Sequence, residues 1–247
     1  MDATTEALFV DYARRSYPEE AGAFLVARGL RFKLHLCRNA SPKPTESIVT
    51  TPEDWEAAES IGEIVGFVHS HPHGSAAPSK HDIEACRASG EAWFICGFPA
   101  GIDGPPEWSR VAGAISELPY IGRRFVHGVT DCGSMVRDYY WRELGRDIPD
   151  FYRADRWWDR GEDLYVEHFA EAGFEVVAKY PGVDVLRLAR LHDVLLMNVG
   201  SARVNHAAIW RGANKILHHP YGRLSLETML DTYHIDRTVY LLRFPDA

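Results

Sequence analysis

Apolar residues in the first half of the chain fall into short blocks whose spacing changes from block to block. Between Thr5 and Arg15, Ala7, Leu8, Val10, Tyr12 and Ala13 form one stripe at helical spacing, which predicts a helix. Ala21 to Ala27 is an apolar run of strand length. Arg31 to Cys37 alternates polar and apolar, as a half-buried strand does, and Arg28-Gly29-Leu30 between them predicts a hairpin turn. Ser41-Pro42-Lys43-Pro44-Thr45 predicts a loop. Thr51-Pro52-Glu53-Asp54 then starts a helix, with proline in its first turn and acids at the positive end of its dipole. That helix is expected to run to Ile61 and stop at Gly62. A buried strand over Ile64–Val68, a helix over Lys80–Ser89 and a second buried strand over Ala92–Cys96 follow. Gly97 to Pro106 reads as a loop on the active-site side, and Trp108 to Glu117 as a last strand. Helices alternating with strands around a mixed sheet give an α/β layout.

The second half patterns differently. Met135, Val136, Tyr139, Tyr140 and Leu144 keep helical spacing. Asp163–Ala172 predicts a helix ended by Gly173, and Phe174–Ala178 and Asp193–Val199 predict strands. Val204–Trp210 and Lys215–His218 flank a turn at Arg211-Gly212-Ala213-Asn214, so a hairpin is expected. Ser225–Leu230 reads as a capped helix and Val239–Phe244 as a closing strand, the pattern of a small α+β domain. Leu118-Pro119 is a candidate linker with the boundary within 116–122, giving domains 1–117 and 118–247. Phe151, Tyr152, Trp157 and Trp158 form an aromatic segment expected to serve packing rather than ligand binding.

Composition narrows this little. A chain of 247 residues accommodates one large domain or two modest ones. No run approaches the roughly 20 apolar residues of a membrane span. Met1 to Glu6 has no basic region or apolar core, so no secretory signal is expected. Residues 1–118 hold 17 acids and 10 bases, net −7, and the remainder 18 and 17, net −1. Neither half carries the basic footprint of a nucleic-acid binder. The four cysteines, Cys37, Cys86, Cys96 and Cys132, form no C-x-x-C pair and are expected to be free thiols, the first three as small core residues.

Chemistry concentrates in two places. The first is His69-Ser70-His71, followed by Ser79 and Asp82. Two histidines two residues apart on a strand share a face. Two imidazoles and a carboxylate are a common zinc set that leaves a fourth position open to water. A plainer reading is that Ser79 and Asp82 only start the Lys80–Ser89 helix, as an S-x-x-D cap does. The two readings are compatible, because a cap fixes where Asp82 points. His73 and His81 in the same loop are expected to be solvated or supporting. The spacing H-x-H-x7-S-x2-D resembles the signature of the JAMM (Mov34/MPN/PAD-1) metallopeptidases. That resemblance implies Zn2+ on His69, His71 and Asp82, oxyanion stabilisation by Ser79 and a glutamate base near the N-terminus. Pro18-Glu19-Glu20 supplies the base, with Glu20 in register. This chain has Gly22-Ala23 where the family has Cys-Gly, which leaves Glu19 open as an alternative.

The second place is Asp131-Cys132, at the start of the Met135–Leu144 helix. Unpaired amides and the dipole there favour the thiolate, the nucleophile of a cysteine peptidase. His206 lies on one arm of the expected hairpin and His218 on the other, twelve residues on, so His218 is placed to orient the His206 ring. His219 and His127 are weaker candidates for third residue and base. A buried cysteine with unrelated histidines is the plainer reading. Asp131-Cys132, Asn205-His206-Ala207 and His218 resemble the NlpC/P60 cysteine peptidases, papain-like in core. The resemblance implies Cys132 as nucleophile, His206 as base and His218 as orienting residue, acting on peptidoglycan stem peptides at a D-glutamate–diaminopimelate bond.

A JAMM domain followed by an NlpC/P60 domain, with Phe125-Val126-His127-Gly128-Val129-Thr130-Asp131-Cys132 between them, resembles a tail-assembly family of lambda-like phages. That resemblance implies phage tail tip proteins as partners, with no nucleic acid and no membrane span. It also implies a place in the host cytoplasm during assembly or at the virion tail tip. A structural assembly factor with an inactive or zinc-structural site, and a bacterial cell-wall hydrolase, stay open as alternatives.

Overall fold

The structure is a computed structural model that describes residues 1–28, 31–111 and 118–245. The chain divides into two compact units, Met1–Ala114 with Asp150–Ala154, and Ile115–Pro149 with Asp155–Ala247.

The first unit opens with helix α1 (Ala3–Ser16), capped by Asp2, whose carboxylate accepts from the Thr5 amide. Phe9 and Ala13 on its inner stripe are fully buried. Strands β1 (Gly22–Arg28) and β2 (Arg31–Cys37) pair antiparallel as the pattern requires. The expected turn at Gly29-Leu30 lies outside the described residues. Helix α2 (Pro52–Ile61), strand β3 (Glu63–His71), helix α3 (Lys80–Ser89), strand β4 (Ala92–Gly97) and strand β5 (Glu107–Val111) complete the unit. The expected last strand is described to Val111, and residues 112–117 lie outside the described part. The sheet order is β2-β1-β3-β4-β5, with β3 and β4 parallel and the other pairs antiparallel. This is the mixed α/β sheet the alternation implied. β1 is buried along its length except at Arg28, which is why its apolar run is unbroken rather than alternating. Phe24, Val26 and Cys37 pack with Phe67 and with Ala58 of α2.

Two details position the site. β3 runs three residues past the expected Val68, so His69 and His71 are strand residues. Gly97 ends β4 where the loop after β3 crosses it: a Cβ there would lie 2.2 Å from the Ala76 amide nitrogen and 2.3 Å from the Ser75 carbonyl carbon. Phe98 then donates its amide to the carbonyls of His71 and Gly74. The rest of the 97–106 loop is tied to α1. Arg14 of α1 holds the carbonyls of Ile102 and Gly104.

The second unit is built on helix α4 (Cys132–Leu144), which packs on the sheet. Helix α5 (Leu164–Glu171), strand β6 (Glu175–Lys179), the short helix α6 (Val185–Leu188) and strands β7 (Val194–Met197), β8 (His206–Gly212) and β9 (Lys215–His218) follow. Then come strand β10 (Leu226–Met229), helix α7 (Thr232–Arg237) and strand β11 (Thr238–Arg243). All pairs in the six-stranded sheet, ordered β10-β9-β8-β7-β11-β6, are antiparallel. Leu195, Met197, Ala208, Trp210, Ile216 and Leu241 form its core. Among the described residues of both units, no helix is long and apolar enough to cross a membrane.

The expected helix over Ser225–Leu230 is instead strand β10. A one-turn helix there would leave most of its backbone groups unpaired and carry the full cost of nucleation. Pairing with β9 satisfies those groups, with Leu226 opposite His218 and Met229 opposite Lys215. Ser225 does not cap a helix. Its hydroxyl accepts from the Arg123 amide at 2.8 Å, and its amide donates to the Arg123 carbonyl.

The expected linker at Leu118-Pro119 is anchored. Buried Arg123 donates to both of their carbonyls and pairs with buried Asp138 of α4 at 2.7 Å. Arg123→Ala is expected to lower stability by about 3 kcal/mol, because it strips a partner from a buried carboxylate. Urea unfolding of the full chain measures this, and a loss below about 1 kcal/mol counts against a buried-pair role.

Candidate active sites

On β3 the odd positions Phe67, His69 and His71 share the face covered by α2. His69 is fully buried, stacked on Phe67 and edge-on to Trp93. His71, at the strand end, faces a cleft of about 490 Å3. The Nε2 atoms of the two rings are 3.1 Å apart. Asp82 Oδ1 lies 3.1 Å from His69 Nε2, and Asp82 Oδ2 lies 3.3 Å from His71 Nε2. The carboxylate is aimed by the cap: the Ser79 hydroxyl accepts from the Asp82 amide, and the Ser79 amide donates to Asp82 Oδ2 at 2.7 Å. Capping and convergence on the histidines therefore coexist.

The donor set fits a divalent cation. His71 Nδ1 bonds the Ser75 carbonyl at 3.0 Å, which requires its proton there and leaves the Nε2 lone pair for a metal. Two imidazole nitrogens and a carboxylate crowded this closely need protons or a cation between them. Burial works to raise the Asp82 carboxyl, but bonds from both imidazoles outweigh it and hold the group well below the usual carboxylate range.

Glu20 sits between α1 and β1. Its amide donates to the Pro44 carbonyl, and its own carbonyl accepts from Asn39. It is buried and lines the cleft. Burial pushes its carboxyl up to about 7, with Asp82 adding and His71 opposing. Glu19 is exposed and does not line the cleft, so of the two it is Glu20 that the fold brings to the donors. Ser79 is on the cleft wall, as are exposed His73 and His81.

In the second unit Asp131 caps α4. Its Oδ1 accepts from Ser134 and its Oδ2 from the Gly128 amide at 2.7 Å, which ties the preceding turn to the helix start. Cys132 is thereby fixed as the first helical residue, almost fully buried. Cys132, His206 and His219 line one small cavity. His206 on β8 and His218 on β9 meet across the hairpin, His206 Nε2 to His218 Nδ1 at 2.9 Å. That leaves His206 Nδ1 as the ring nitrogen not engaged by His218. His219 instead points Nε2 at the Arg223 carbonyl, 3.1 Å away, and so does not orient His206. His127 also lines the cavity, with Nδ1 4.0 Å from Asp155.

Burial pushes His206 down to about 3, with His218 next in effect, and His218 down to about 4, with His234 next. Both rings are neutral in the fold, whereas free histidine titrates near 6.5. The stability they contribute is complete above about pH 6.5 and is lost as pH falls toward about 4 and then about 3. The slope is at most about 1.4 kcal/mol per pH unit per ring. Urea midpoints of the full chain are expected to drop between pH 7 and pH 5, less steeply in His218→Asn. Equal slopes in wild type and variant count against this origin.

Three residues of the second site and its groove escaped sequence reading. The Tyr165 hydroxyl on α5 lies 3.1 Å from Cys132 Sγ, yet Tyr165 has the apolar spacing of a core residue. Trp158, expected to serve packing, lines the cavity with Cys132 and the adjoining groove of about 330 Å3. His234 on α7 packs edge-on to His218 at 5.3 Å, and its Nδ1 donates to Asp231 Oδ1 at 2.7 Å. The rest of the aromatic segment does pack: Trp157 is buried, and Tyr152 stacks on Trp108 within the first unit.

A family model of prokaryotic homologues of the JAB domain matches residues 2–110, and a model of the NlpC/P60 family matches residues 122–243. The chain thus joins a JAB-type domain to an NlpC/P60-type domain. It is 32% identical over 239 residues to tail tip assembly protein K of Escherichia phage N15, covering 96% of this chain and 92% of that protein. It is 38% identical over 179 residues to tail tip assembly protein K of Escherichia phage lambda, covering 71% and 79%. The chain belongs to the tail tip assembly protein K family. Among solved structures, the NlpC/P60 domain of peptidoglycan hydrolase SagA is 21% identical, with a TM-score of 0.32, covering 49% of this chain and 88% of that domain.

Proposed function

We propose that the chain is a phage tail tip assembly protein with two peptidase sites, a zinc-dependent one in the first unit and a cysteine endopeptidase in the second. The observation that carries the reading is the second site: a cysteine at a helix N-terminus shares a cavity with a neutral histidine whose other nitrogen is held by a second histidine.

In the second site Cys132 Sγ attacks the scissile carbonyl and forms an acyl-enzyme. His206 takes the thiol proton at Nδ1 and returns it to the leaving nitrogen, while His218 fixes the ring. Tyr165 positions the sulfur through its hydroxyl. The groove walled by Arg156, Trp158, Tyr221 and Tyr233 receives the peptide. The substrate is the peptidoglycan stem peptide, cut between D-glutamate and diaminopimelate.

In the first site His69, His71 and Asp82 would hold zinc, which when bound would supply Lewis-acid chemistry toward a peptide or isopeptide carbonyl. Glu20, with a carboxyl near neutrality, moves a proton between nucleophile and leaving nitrogen. The Ser79 hydroxyl donates to the developing oxyanion. Tail tip proteins are the partners, and the protein acts in the host cytoplasm during assembly or at the virion tail tip.

The test is incubation of the purified chain with isolated stem peptides, read by mass spectrometry. Fragments with a new diaminopimelate amino terminus are expected. Intact peptides after incubation with folded, zinc-loaded protein would move the structural assembly role to the front.

A further inference from the structure

We propose that His35, Cys37 and Asp54 form a second metal site, taking a borderline-soft divalent cation of the zinc type, that clamps both ends of the segment walling the first cleft. This stands apart from both peptidase readings and uses none of their residues.

The placement follows from the fold. His35 and Cys37 are two apart on β2 and share a face, opposite Phe24 and Gly22 of β1. Asp54 is the third residue of α2, which packs over that face. One donor atom from each of the three lies within 4.8 Å of the other two. Asp54 divides its oxygens: Oδ2 accepts from the Thr51 amide and hydroxyl in the capping box, and Oδ1 faces His35 Nε2 at 3.3 Å. The cap leaves one carboxylate oxygen for a cation and fixes its direction.

Nitrogen, sulfur and oxygen donors together suit zinc and its neighbours, whereas magnesium and calcium take oxygen. Cys37 is fully buried. The side chains of His35 and Asp54 are 21% and 16% exposed, which gives a path for entry and room for a solvent fourth ligand. The three ligands bracket the connection from β2 to α2. Lys43, Glu46, Ser47 and Ile48 in that connection line the cleft that contains Glu20 and His71. Its middle is held by Asn39, which donates to the carbonyls of Glu20, Pro44 and Ser47. A cation at its two ends would fix the wall where Asn39 does not reach.

The experiment uses the full chain carrying Cys132→Ser, His69→Ala and His71→Ala, which removes both imidazoles of the first site and the thiol of the second. About one equivalent of zinc is expected to remain bound. Cobalt(II) substitution is expected to give a near-ultraviolet thiolate-to-metal band. Both are expected to vanish in Cys37→Ser. Affinity is expected to fall at least about tenfold in Asp54→Asn, whose amide oxygen can still cap α2. X-ray absorption on the zinc-loaded Cys132→Ser chain, with the first site intact, covers misfolding of the Cys37 variant. A sulfur neighbour at about 2.3 Å is expected, which the first site cannot supply. A folded protein with neither cobalt band nor zinc–sulfur distance overturns the proposal.

Discussion

Cys132→Ala is expected to reduce stem-peptide cleavage by a factor on the order of 10^4 or more. Nothing else on the cavity wall can take over from the thiol: its neighbours are rings, Asp131 and Asn205. Alanine removes the proposed nucleophile without disturbing α4, since the cap is made by Asp131 and Ser134. His206→Ala is expected to cost about as much, because nucleophile and base act as a unit. His218→Asn is expected to cost less, since an amide can still bond His206 Nε2. Measuring kcat/KM for the three variants gives the order. A Cys132→Ala protein that still cleaves at the wild-type rate removes the second site from the mechanism.

His69→Ala/His71→Ala is expected to remove about one equivalent of bound zinc together with all turnover at the first site. Glu20→Gln separates the two effects. Glu20 is not among the three proposed metal donors, so metal content in this variant is expected to match wild type. Turnover at the first site is expected to fall by a factor on the order of 10^2 to 10^4, the usual worth of a general base. Metal analysis beside a peptidase assay on tail tip proteins reads both. Unchanged zinc in the double histidine variant, or a Glu20→Gln protein as active as wild type, defeats the assignment. Stem-peptide cleavage should be untouched by either change, because the donors lie in the other unit.

The parts legible in the sequence are those written in local period and chemistry. The unbroken apolar run of β1, the proline and acids opening α2, and the two-residue spacing of His69 and His71 each dictate local geometry. Ser79 and Asp82 show why two readings of one motif need not compete: one carboxylate caps α3 and converges on both histidines. What escaped depends on partners distant in sequence. Ser225–Leu230 opens on a residue type that favours helix caps, but an available edge on β9 decides its conformation. Tyr165 reaches Cys132 across 33 residues, and nothing in its neighbourhood distinguishes it from a core aromatic.

The return of Asp150–Ala154 to the first unit has a bearing on how the protein is made and dissected. Asp150 pairs with Arg110, whose side chain is almost wholly buried, and Tyr152 stacks on Trp108 at 5.7 Å and donates to Glu6. On the ribosome, residues 1–111 must therefore wait for Cys132–Leu144 and the stretch after it to emerge before their own packing is complete. A gene fragment stopped near residue 117 would encode an N-terminal piece that has lost its aromatic cover and left a buried guanidinium without that carboxylate. Expressing the first unit alone calls for supplying residues 150–154, as a fused segment or a second peptide, rather than for a single cut.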